Sequence, residues 1–223
     1  MRPAPLILGI ILLTIGTCVT SGCTPQKVPT VQLLKQADRS FDYGQWSDAA
    51  AKYEEVLARE PHEGPIQYRF GLCQLELGDY SKAESALEIA QSLDPRDDEI
   101  TYALAEALFN KKQYTRLFTM LRDRARDNRS VDTWLVMADY AEKLDDFDTA
   151  MEALSNACAI EDGSTYLPYY RAAVLLGRVG QSDEAIRRLR QAYAIAPDDE
   201  AVNVMLVEYG EIPGPTLGLA PGR

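Results

Sequence analysis

The chain has 223 residues, a formal charge of −11 and an ordinary apolar content of 46%. That allows one or two globular units or a single array of repeats. Such acidity speaks against a nucleic-acid partner and against holding anionic lipid by charge. With a single histidine, and only the scattered Cys73 and Cys158 beyond Cys23, no tight zinc site is expected.

In chain order, Met1-Arg2 is a short basic start, and the stretch from Leu6 to Val19 carries no charge. A run of about 14 residues falls short of the roughly 20 that a spanning helix needs. It has the proportions of a signal-peptide core instead. The following Thr20-Ser21-Gly22-Cys23 resembles a bacterial lipoprotein box, with Thr20 where leucine is usual. The resemblance implies a signal peptide over 1–22, acyl chains such as palmitate on Cys23, and a lipidated tether over 23–29. Several chains on one residue hold a membrane far better than one. Thr24 after the cysteine implies the outer membrane of a bacterial cell envelope, facing the periplasm. Plain secretion and an uncleaved anchor remain the alternatives.

From Thr30 onward small and large apolar residues recur at fixed spacing. Gly71, Ala83 and Ala90 sit where two helices approach closely, and Leu72, Leu75, Tyr80 and Leu87 fill the gaps between them. Ala49 and Ala83, and likewise Pro61 and Pro95, stand 34 residues apart. This resembles the tetratricopeptide repeat, a helix–turn–helix unit of about 34 residues. The resemblance implies an all-α, right-handed solenoid of about five repeats, at 30–63, 64–97, 98–130, 131–164 and 165–198. A capping helix over 199–210 closes the exposed end. The Pro- and Gly-rich 211–223 reads as a disordered tail. The third repeat is irregular: Leu117 stands where a small residue is expected, and Arg124 where alanine is usual.

No residue set suggests catalysis, a cofactor or a small-molecule substrate. His62, the single histidine, follows the repeat-closing Pro61 and reads as a solvated linker residue. Asp97-Asp98-Glu99 and Asp198-Asp199-Glu200 begin helices, where carboxylates cap free amides and oppose the dipole. Cys73 and Cys158 fall in different repeats and read as buried apolar residues rather than a disulfide. Arg116, Arg122, Arg124, Arg126 and Arg129 form a basic island, either a solvated outer face or a docking patch.

In tetratricopeptide arrays the first helix of each repeat lines the concave wall. Register then places Leu34, Tyr68, Tyr102, Leu135 and Tyr170 on that wall, with Arg69 and Arg171 beside them and Phe109 further along. Aromatic rings with neighbouring arginines suit a protein or peptide partner; the alternative is that these rings pack within the array. The basic clamp that some relatives use for C-terminal carboxylates is absent, since Asp38, Glu99 and Ala103 hold its positions. The resemblance implies a membrane-anchored scaffold, not an enzyme, serving assembly of a pilus, a secretion system or the outer membrane. A recruiting subunit of a cell-wall enzyme complex is the alternative.

Overall fold

The computed structural model describes residues 28–221; the signal-peptide and Cys23 expectations lie outside them. Eleven α-helices and no strand occur among the described residues. They pair into five antiparallel hairpins: α1 (Thr30–Asp42) with α2 (Trp46–Leu57), α3 (Gly64–Glu76) with α4 (Tyr80–Leu93), and α5 (Asp98–Asn110) with α6 (Tyr114–Asn128). The series continues with α7 (Val131–Lys143) and α8 (Phe147–Ile160), then α9 (Leu167–Arg178) and α10 (Ser182–Ile195), and ends in α11 (Glu200–Glu208). The two helices of each hairpin pack on one another and successive hairpins pack in series, as in a solenoid.

Local chemistry starts and stops these helices. Side chains of Asp79, Asp97, Ser130, Asp146 and Asp199 accept hydrogen bonds from the first-turn amides that a helix leaves unpaired. Inside each hairpin the turn needs one left-handed residue, and Gly44, Gly78 and Gly180 supply it in the first, second and fifth. Lys112 and Asp145 take that conformation in the third and fourth, at φ 59° and 54°. A side chain at such a position costs about 1–2 kcal/mol.

The crossings are built from small residues. Ala49, Ala83, Ala150 and Ala185 are fully buried at equivalent positions, which lets backbones approach closely. Leu117 is also fully buried at its own crossing. Its bulk keeps α5 and α6 less closely packed than the helices of the other hairpins. The core falls into two clusters, one over the first two hairpins and one from the second hairpin to the C-terminus. α3 and α4 serve both: Phe70, Cys73 and Ala86 belong to the first cluster, and Leu75, Ala83 and Leu87 to the second.

Three arginines of the basic island are tied to neighbouring hairpins, while Arg126 and Arg129 are exposed. Arg116 pairs with Glu84 and Glu88 on α4. Arg122 reaches Glu152 on α8 through two nitrogens, at 3.0 and 2.9 Å. Arg124 holds Asp98 at 2.8 Å and also donates to the carbonyls of Pro95 and Arg96. The irregular hairpin is thus tied to its neighbours by ions where alanine packing is lost.

The tail needs correcting as well. Residues 211–221 form no regular element, but they are not free: they lie along α10. Leu217 is buried, Arg190 Nε donates to its carbonyl at 2.8 Å, and the Leu219 amide donates to the Arg190 carbonyl at 2.9 Å. Gln191 reaches the Ala220 carbonyl at 3.2 Å. Among the described residues no second helix follows α11, and this extended segment lies along α10.

Candidate functional site

The first helices of the middle hairpins, α3, α5 and α7, lie side by side. Between them runs a cleft of about 420 Å³ lined chiefly by Tyr68, Leu72, Tyr102, Val136 and Tyr140, with Glu99, Glu106, Asp139 and Lys143 at its rim. Tyr68 Oη donates to Glu99 Oε2 at 3.4 Å, and Tyr102 Oη lies 3.1 Å from Thr133 Oγ1. These bonds anchor the two rings by their hydroxyls at the lining of the cleft. Tyr140 lies 5.0 Å from the Phe109 ring, centre to centre, and Lys143 Nζ sits 4.7 Å above Tyr140 and 5.7 Å above Phe109. The last two contacts are cation–π geometry.

The tyrosines of this cleft are held in their protonated form. Burial, then the Glu106 and Asp139 carboxylates, push the Tyr140 phenol up to about 12. Burial and then Glu99 raise Tyr68 in the same direction. Protonated tyrosines beside the Glu99 and Glu106 carboxylates, neither of which is in a salt bridge among the described residues, make a surface that offers acceptors and π faces.

The structure redistributes the residues expected on the wall. Tyr68 and Tyr102 share the cleft, and Phe109 supports it through Tyr140. Leu34 packs with the first core cluster, and Leu135 is buried. Tyr170 lines a separate hollow with Asp199, Met205 and Glu208. Neither arginine is an open anchor. Arg69 is paired with Asp38 at 2.7 Å and stacked 5.7 Å from the Phe41 ring centre. Arg171 is held by Asp139 and Glu142, each at 2.6 Å. Tyr140, Lys143 and Glu106 were missed. Glu106 and Tyr140 follow Leu72 in steps of 34 residues, one turn beyond Tyr68, Tyr102 and Val136, whereas the wall expected from the sequence takes Leu135 in place of Val136 and leaves out that turn. An aromatic one turn beyond Val136 was the available signal.

Hairpins stacked with their first helices along one grooved wall define a tetratricopeptide α-solenoid. A tetratricopeptide repeat family model matches residues 40–92. No curated protein matches the chain in sequence. Among solved structures, that of MamA protein is 19% identical, covering 83% of this chain and 98% of its own, with a TM-score of 0.59. MamA 41-end from Desulfovibrio magneticus RS-1 is 15% identical over 77% of this chain and 97% of its own, at 0.58. YrrB, described as a TPR protein with an unusual peptide-binding site, is 16% identical over 79% and 91%, at 0.54. At such identities the likeness is one of fold.

Proposed function

We propose that this protein is a non-enzymatic scaffold that binds a segment of a protein partner in the cleft across α3, α5 and α7. The observation that carries the reading is the open run of Tyr68, Tyr102 and Tyr140 on three adjacent helices. Rings anchored on a rigid wall supply contact area at little entropic cost, which suits an extended segment. The peptide-binding site that YrrB is described as having, on a similar fold, supports the same use here. Among the described residues no group of three or more His, Cys, Asp or Glu side chains is placed to hold a metal.

The finer reading adds an anchor. Acyl chains on Cys23 hold the array at an envelope membrane, outer and periplasm-facing, and raise the local concentration of a bound partner. The support is the lipoprotein-like sequence alone; among the described residues no helix is long and apolar enough to cross a membrane. The role that fits is recruitment during assembly of an envelope complex.

Two measurements test the two halves. A photo-crosslinker at Val136 is expected to capture a discrete partner in cells, and Tyr102→Ala with Tyr140→Ala to abolish the product. An undiminished product in that variant ends the cleft reading. Radiolabelled palmitate is expected in the wild type and not in Cys23→Ala; equal incorporation ends the anchor.

A further inference from the structure

We infer that the segment taken up by this cleft is basic, presenting lysine or arginine side chains to the tyrosines. The inference rests on the cleft being the partner site and adds the charge of what it binds. Sequence register put arginines on the wall, which would favour an acidic guest. The structure reverses that sign: Arg69 and Arg171 are both neutralised by carboxylates of the array. The Glu99 and Glu106 side chains are exposed at the rim, and neither is in a salt bridge with a cation among the described residues. Two carboxylates beside three tyrosine rings thus await a positive charge, and an acidic guest would meet like charge.

A second observation comes from the chain itself. Lys143 lays its ammonium over Tyr140 and Phe109 at one end of the cleft, so this aromatic surface already accepts a cation. Toward Tyr68 and Tyr102 the rings carry no such cation among the described residues, and there Glu99 and Glu106 stand within the same cleft. A guest lysine or arginine set on Tyr102 finds a carboxylate on either side, while its aliphatic stem lies on Leu72 and Val136. Ring and carboxylate together bind a guanidinium or ammonium better than either alone. An acidic second copy of this chain lacks the complementary charge.

The test uses the full-length chain in nonionic detergent and three fluorescent decapeptides in which leucine alternates with lysine, glutamine or glutamate. The lysine peptide is expected to bind most tightly and to weaken as salt is raised. Glu99→Gln with Glu106→Gln is expected to weaken it about tenfold, about threefold for each screened pair. Asp123→Asn with Asp127→Asn, which removes the same charge from the exposed face of α6, is expected to leave binding unchanged. Equal losses in the two double variants would mean diffuse attraction to an acidic protein and overturn the inference. If the glutamine peptide binds as well as the lysine peptide, and Tyr140→Ala weakens both, the cleft reading stands and the charge inference falls. If Tyr140→Ala weakens none of the three, the cleft reading itself falls. Self-association that Tyr140→Ala abolishes would identify a second copy as the occupant and also overturn the inference. Unchanged far-ultraviolet circular dichroism, expected for substitutions at exposed sites, shows that each charge variant is folded.

Discussion

Replacing Gly71 by alanine sets two opposed effects against each other, and the structure decides between them. Gly71 lies inside α3, where alanine is the better helix former by about 1 kcal/mol. A Cβ built there would stand 2.6 Å from Leu87 Cγ and 2.8 Å from Leu87 Cδ2. Leu87 is fully buried and its branch point cannot swing clear. Overpacking of this kind costs about 1–3 kcal/mol. The net effect of Gly71→Ala is therefore a destabilisation of about 1 kcal/mol, overpacking at about 2 less the propensity gain. Leu87→Ala alone should cost about 2–5 kcal/mol through the cavity it opens. In that background the new methyl meets empty space, and Gly71→Ala should stabilise by about 1 kcal/mol. The double-mutant cycle then shows a coupling of about 2 kcal/mol, within the range for touching residues. Urea unfolding followed by circular dichroism, compared at the midpoints, measures all four corners. A wild type that gains stability from Gly71→Ala, with a cycle that closes at zero coupling, would refute the close approach of α3 and α4.

The irregular repeats offer further tests. Lys112→Gly should raise stability by about 1 kcal/mol by removing a side chain from a left-handed backbone; Asp145→Gly should gain less, since a short polar side chain tolerates that conformation better. Thermal unfolding reads both. Arg124→Ala should cost about 1.5–3 kcal/mol, because Asp98 and two carbonyls lose a charged donor. Arg124→Lys should not restore the loss, since a point charge cannot fork to three acceptors. Glu84 sets an acid limit: burial would raise its carboxyl, but Lys111 and Arg116 outweigh burial and hold it below the ordinary value of 4.5. Its contribution is full above that value and disappears as pH falls through the depressed one. Denaturant midpoints taken from pH 7 downward should therefore fall less steeply in Glu84→Gln than in the wild type.

Much of the fold was legible because its causes are local. Ala49, Ala83, Ala150 and Ala185 mark close crossings by size alone. Asp97 and Asp199 announce helix starts by their capping oxygens, and Gly44, Gly78 and Gly180 mark turns by the φ they permit. The same local rules misread the tail. Prolines and glycines exclude a helix over 211–223, but they do not prevent Leu217 from burying itself against α10. The basic island was opaque for a related reason, since Arg116, Arg122 and Arg124 find their acceptors 26 to 32 residues away.

By itself, then, the sequence determined the repeat period, the helical hairpins and the poverty of reactive groups, all of which follow from residue size, backbone preference and composition. Only the tertiary structure decided which side chains of the wall remain open. Whether an arginine is free or already paired, and whether a ring faces the cleft or the core, depends on how each hairpin is rotated against the next. That packing buries Leu135, ties Arg69 and Arg171 to carboxylates, and leaves Tyr68, Tyr102 and Tyr140 in one cleft with Glu99 and Glu106.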